Sequence, residues 1–192
     1  MPYELGPTLL TAERIAARVA ELGTAITADY RGKTLFLVCV LKGSSIFWAD
    51  LCRRIELPTI TDFCAVHSYG DGTDPSGAIL LSHDLSLSIA GQEVLIVEDI
   101  VDTGRTLHLL RSHLLTRQPA SLRICALLDK VERREVPVPL DYVGFAIPNE
   151  FVVGYGLDFA QQFRNLPYVA TLRPPKEPRT AIFRLAPLLL LC

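Results

Sequence analysis

Residues 94 to 107 read Val-Leu-Ile-Val-Glu-Asp-Ile-Val-Asp-Thr-Gly-Arg-Thr-Leu, and no other stretch constrains this chain as tightly. An apolar strand runs into three carboxylates, Glu98, Asp99 and Asp102, and then into a turn rich in hydroxyls and glycine that opens a helix. At such a helix start the backbone N–H groups of Thr103, Gly104, Arg105 and Thr106 point outward, where the peptide dipoles favour a phosphate. Carboxylates beside a phosphate repel it. They make sense if they bind another part of the same ligand: sugar hydroxyls, a metal, or a proton to be removed. A sugar phosphate meets all of these demands, whereas an ordinary Asp N-cap needs a single acceptor.

The flanking sequence supplies an α/β frame. Ile15, Val19, Leu22 and Ile26 recur at helical spacing after Thr11, a suitable N-cap, which predicts a helix over 12–29 that Gly32 stops. Leu35 to Leu41 is an unbroken apolar run, as expected of a strand buried on both faces. Helical spacing over 44–55, a strand from Thr59 to His67, a strand at Val94–Val97, a helix from Thr103 to about Thr116 and a strand at Ile124–Leu128 follow. Strands alternating with helices imply a central parallel sheet flanked by helices. Ligands of such sheets bind beyond the C-terminal ends of the strands, where Lys42-Gly43 and Glu98-Asp99 both fall.

Length and charge narrow the function. A chain of 192 residues suits one domain, and a formal net charge of −2 gives no footprint for nucleic acid or a membrane surface. The cysteines, at 39, 52, 64, 125 and 192, are odd in number and mostly set in apolar runs, so they read as free thiols of a reducing compartment, the cytoplasm by default. The N-terminus lacks a signal peptide's basic start and apolar run. The apolar tail Leu185–Cys192 is too short to span a bilayer and contains a proline, which favours a packed or subunit-contacting segment. His67, His83, His108 and His113 form no metal-ligand spacing.

With Glu98-Asp99 and Asp102-Thr103-Gly104 as anchor, the chain resembles the type I phosphoribosyltransferases over about residues 8–173. Further markers are Leu41-Lys42-Gly43-Ser44, Ser68-Tyr69-Gly70, Lys130 and Phe151-Val152-Val153-Gly154-Tyr155-Gly156-Leu157-Asp158, and they point to the hypoxanthine-guanine members of bacterial size. The resemblance implies a single domain over 1–173 with a small hood and a mobile lid loop, followed by a tail, 174–192, of unassigned role. It implies transfer of the phosphoribosyl group from 5-phosphoribosyl 1-pyrophosphate to hypoxanthine or guanine, with magnesium, in purine salvage. A homodimer or homotetramer is expected.

The same resemblance distributes roles. Asp102 is the general base. Glu98 and Asp99 bind the ribose hydroxyls directly or through metal, and Asp158 holds magnesium through water. Thr103, Gly104, Arg105 and Thr106 bind the 5′-phosphate. Lys42 and Gly43 meet pyrophosphate in a loop with a non-proline cis peptide before Lys42, and Arg164 reaches the same group. Lys130 meets the exocyclic oxygen of a 6-oxopurine, Phe151 stacks on the base, and the Val152 backbone reads its edge. Ser68 and Tyr69 begin the lid. From the residues alone, Lys130 reads as a solvated lysine in the charged run 129–135, and Arg164 could pair with Asp158, a reading that does not exclude the other. Arg105 replaces a lysine often found in the phosphate loop, and Ser44 stands where the family's first loop has a second glycine.

Other readings are weaker. The Gly-x-Gly pairs at Gly70/Gly72 and Gly154/Gly156 open no helix with a third glycine, which argues against a dinucleotide site. No phosphate-loop kinase motif is present. A transferase for xanthine or another base, or a regulator that senses a sugar phosphate, remains open. A regulator of that kind needs a nucleic-acid surface for which the chain shows no basic cluster.

Overall fold

The computed structural model describes residues 4–66 and 81–173. Its main sheet has six strands: β2 (Leu35–Leu41), β3 (Thr59–Val66), β4 (Leu81–His83), β5 (Glu93–Val101), β6 (Ser121–Asp129) and β7 (Tyr142–Ala146). Their order is β4-β3-β2-β5-β6-β7. All neighbours are parallel except β4, which runs antiparallel to β3 at the edge. A second, three-stranded antiparallel sheet, β1-β9-β8, joins β1 (Glu4–Leu10), β8 (Val152–Val153) and β9 (Val169–Arg173). It forms the hood.

Central strands are apolar on both faces because helices cover both. On one side α1 (Ala12–Asp29) and α2 (Ser45–Cys52) bury Ile15, Val19, Leu22, Ile26, Phe47 and Leu51 against Leu37, Leu95, Val97 and Leu127. On the other, α3 (Arg105–Leu115) packs Leu107, Leu110 and Leu114 against Val38, Ile96 and Ala126. Each of those leucines contributes about 1.5–3 kcal/mol on burial. Thr11 caps α1 by accepting from the Arg14 amide at 3.3 Å, and Arg18 ties that helix to β7 through the carbonyls of Val143 and Gly144, at 2.7 and 3.0 Å.

The predicted first helix and first buried strand have the observed bounds. The helix expected over 44–55 is shorter, at Ser45–Cys52, because the chain turns at Arg53 toward Pro58. β5 is longer than its apolar core: it pairs with β2 on one side and β6 on the other, and its ladder with β6 continues past Glu98 to Val101. Two of the three carboxylates therefore stand on the strand itself, and only Asp102 lies in the turn. α3 begins at Arg105, so Thr103 and Gly104 precede it. Gly32, at φ +78°, lies just beyond the helix end at Tyr30. No helix of the described residues is long and apolar enough to cross a membrane. The lid residues Ser68 and Tyr69, His67 and the tail 174–192 lie outside the described residues.

Candidate active site

The C-terminal ends of β2 and β5 open into a cleft of about 210 Å³ lined by Leu41, Glu98, Asp99, Asp102, Thr103, Gly104 and Thr106, among others. The turn after β5 is shaped for an anion. Gly104, the N-cap of α3, takes the left-handed conformation, φ +82°, and has no side chain to cap the helix. The Arg105 amide donates to the Thr103 hydroxyl at 3.4 Å, and a helix start of this kind suits an anion.

Glu98 and Asp99 are held in this cleft as a close acidic pair. Burial, and then the adjacent Asp99 carboxylate, push the Glu98 carboxyl well above its ordinary range. Burial also raises Asp99, against hydrogen bonds from Glu98 and the Ile100 amide and the field of Arg164; the Ile100 amide donates to Asp99 at 2.9 Å. Among the described residues the ion pairs of the site fall on Asp102, Asp129 and Asp158, not on this pair. Two desolvated carboxylates without a protein cation suit a ligand bearing hydroxyls or a divalent metal. No group of three or more His, Cys, Asp or Glu side chains comes together as a metal cluster among the described residues.

The first loop closes onto the pair. The Leu41–Lys42 peptide bond is cis, as the resemblance implied. Gly43 lies so close to Asp99 that a Cβ built on it would stand 1.7 Å from the carboxylate Oδ2. Lys42 itself is exposed, and its carbonyl accepts from the Ser45 amide at 3.3 Å and hydroxyl at 2.8 Å. Ser44, the departure from the second glycine, is wholly buried and donates to the Val40 carbonyl. Its hydroxyl fastens the loop to β2.

Lys130 is buried, and its ammonium stands 3.5 Å from Asp102 Oδ2. Arg133 meets the other oxygen of Asp102 at 2.9 Å. Lys130 and Asp102, the residues expected to read the base and to take its proton, thus share one spot. Phe151 is 53% exposed, an unusual state for a large aromatic, and meets Phe159 edge-on with ring centroids 5.7 Å apart. Its face is open for stacking. Val152 follows as the buried first residue of β8. Arg164 pairs with Asp158 at 2.6 Å and also donates to the Gly156 carbonyl at 2.7 Å. The ion pair read as an alternative for Arg164 is therefore present.

Two contributions were not singled out from sequence. Gly156, at φ +101°, would put a Cβ 2.0 Å from the Gly43 carbonyl, so the second Gly-x-Gly presses the hood onto the first loop. The run 131–136 folds back on the phosphate turn: the amides of Glu135 and Val136 both donate to the Thr103 carbonyl, at 3.0 and 3.1 Å, and Arg105 pairs with Glu135 at 2.7 Å. The glycine at 104 was the available signal for the second, since glycine permits close approach of backbone.

A strand-to-turn-to-helix cleft beneath a small hood is the arrangement of the phosphoribosyltransferase class, and the match to known proteins agrees. The phosphoribosyl transferase domain family matches residues 7–160; the chain belongs to that family. It is 51% identical over 179 residues to the hypoxanthine-guanine phosphoribosyltransferase of Mycobacterium avium, covering 90% of this chain and 88% of the relative. It is 50% identical over 163 residues to the hypoxanthine phosphoribosyltransferase of Salmonella typhimurium, covering 84% and 92%. Among solved structures, a hypoxanthine phosphoribosyltransferase of Staphylococcus aureus superposes with a TM-score of 0.84 at 47% identity, over 88% of this chain and 92% of that one.

Proposed function

We propose that the protein transfers the phosphoribosyl group of 5-phosphoribosyl 1-pyrophosphate to a ring nitrogen of hypoxanthine or guanine, giving the nucleoside monophosphate and pyrophosphate in purine salvage. The observation that carries this reading is the meeting of Lys130 and Asp102, 3.5 Å apart, beside the acidic pair and the phosphate turn. The cleft then holds a proton acceptor, a pentose grip and an anion cradle, with the reader of a 6-oxo group, Lys130, beside them. The relatives named above carry the same activity in their names.

In the reaction the bond from C1 of the ribose to pyrophosphate breaks, the leaving oxygen keeps the electron pair, and a bond from C1 to the purine nitrogen forms. The proton on N7 passes to Asp102, a step worth roughly 10²–10⁴-fold. Glu98 and Asp99 orient the ribose hydroxyls so that the ring stays fixed while C1 moves between leaving group and base. Amides of Thr103 to Thr106 hold the 5′-phosphate, and Lys42, the loop at Gly43 and Arg164 offset the charge of pyrophosphate. When bound, magnesium supplies further charge neutralisation there; Glu98 and Asp99 and, through water, Asp158 are the residues that would hold it.

Selectivity follows from donors and acceptors. The Lys130 ammonium has only donors, so it donates to a 6-oxo group and rejects the amino group of adenine. Phe151 offers its open face to the base. The fully buried thiols of Cys39, Cys64 and Cys125 suit a reducing compartment, and the cytoplasm is the proposed location.

The test is an assay with 5-phosphoribosyl 1-pyrophosphate, magnesium and, separately, hypoxanthine, guanine, xanthine, adenine and uracil. Turnover with hypoxanthine or guanine and none with adenine or uracil is expected. Preference for xanthine would move the assignment to another base, and no turnover with any base would favour a phosphoribosyl-binding regulator.

A further inference from the structure

Arg134 plays no part in the chemistry described above, yet it touches both loops that do. Its guanidinium pairs with the Asp129 carboxylate at the end of β6, next to Lys130. Its Nε donates to the backbone carbonyl of Asp102 at 3.4 Å. Its stem lies along the phosphate turn, for a Cβ on Gly104 would fall 2.8 Å from Arg134 Cδ. The side chains of Arg134 and Asp129 are only 17% and 15% exposed, which leaves their attraction weakly screened. The neighbouring amides of Glu135 and Val136 fix the next carbonyl along, that of Thr103.

A turn that binds phosphate through backbone amides works only if the peptide planes already face the anion, because reorienting them on binding costs affinity. In this chain the carbonyls of Asp102 and Thr103 are both held from the side of the 131–136 segment. Resting on the reading of 103–106 as the 5′-phosphate site, we infer that Arg134 is a positioning residue that presets the phosphate turn, with Asp129 as its anchor. The planar guanidinium can reach a carboxylate and a carbonyl at once; a lysine ammonium at the end of a flexible stem is a poor substitute. The same bridge joins the strand end that carries Lys130 to the turn that follows Asp102.

The experiment compares wild type with Arg134→Met, Arg134→Lys, Asp129→Asn and the double variant Asp129→Asn/Arg134→Met, reading steady-state kinetics for each substrate, binding of inosine monophosphate and thermal melting. Arg134→Met keeps the stem and removes the charge; its KM for 5-phosphoribosyl 1-pyrophosphate is expected to rise about tenfold or more, with the KM for hypoxanthine within about twofold. Nucleotide binding weakens in parallel. Arg134→Lys falls between wild type and Arg134→Met, and the double variant is no worse than Arg134→Met alone because both changes cut one bridge. Should Arg134→Met fail to fold, Asp129→Asn carries the test, with a rise of about threefold or more confined to the phosphorylated ligands. A change of less than about threefold for 5-phosphoribosyl 1-pyrophosphate, or an equal loss for hypoxanthine, overturns the inference. A wild-type protein that neither turns over nor binds inosine monophosphate would remove the phosphate reading itself, and the inference with it. An active wild type with unchanged variants would remove only the role of Arg134.

Discussion

Gly43 and Asp99 are in such close approach that no side chain fits between them: a Cβ on the glycine would lie 1.7 Å from the carboxylate. Gly156 closes the other side of the loop, where its own Cβ would stand 2.0 Å from the Gly43 carbonyl. The first loop is therefore clamped between the acidic strand end and the hood. Gly43→Ala must displace the loop, the carboxylate, or both. A loss of at least about a hundredfold in kcat/KM is expected, since small misplacements of reacting groups carry costs of that order. Melting curves read alongside the kinetics will show whether the fold survives.

Asp102 faces both Lys130 and Arg133. Asp102→Ala is expected to lower kcat by about a hundredfold or more while leaving substrate binding largely intact. Near-wild-type turnover, measured in single-turnover experiments so that product release does not mask the chemical step, would take Asp102 out of the mechanism.

Phe151 presents more than half of its surface to solvent, so its removal has little to take from the core. Phe151→Ala should leave the melting temperature nearly unchanged and raise the KM for hypoxanthine about tenfold, from a stacking contribution of roughly 1–3 kcal/mol. An unchanged KM together with a large drop in melting temperature would make it a packing residue.

Asp62, far from the cleft, is a stability element. It is 4% exposed, and its carboxylate accepts from the amides of Ser86, Leu87 and Phe63 at 2.8, 2.9 and 2.8 Å and from the Ser86 hydroxyl at 3.0 Å. Burial pushes its carboxyl up, but these bonds outweigh burial and hold it below the ordinary carboxylate range. A depressed folded-state pKa means the contribution is complete above the unfolded value, about 3.9, and is lost as pH falls through the lower folded value. Asp62→Ala should cost about 2–3 kcal/mol near neutrality. Denaturant titrations at pH 7 and at progressively lower pH should show the gap between wild type and variant shrinking as the acid approaches the folded-state pKa.

The sequence revealed those parts of the fold whose signals are local. Leu35–Leu41 is a strand buried on both faces and is apolar at every position; Ala12–Asp29 combines a capping threonine with helical spacing. The hood was legible only through family resemblance, because Val152–Val153 is two residues long and β1 finds its partner β9 at the far end of the domain. In the site, Glu98, Asp99 and Asp102 could be read from their place at the end of an apolar strand, whereas Lys130 was legible only through family resemblance. Arg134 could not: in the charged run 129–135 it looks like its solvated neighbours, and only the return of that segment onto Thr103 and Gly104 separates it from them.

The most direct measurement is a crystal structure with inosine monophosphate bound. The phosphate is expected on the amides of Thr103 to Thr106, the ribose hydroxyls beside Glu98 and Asp99, and the base between Phe151 and Lys130. A nucleotide whose phosphate lies away from that turn, with the acidic pair facing no hydroxyl, would contradict the assignment of the cleft.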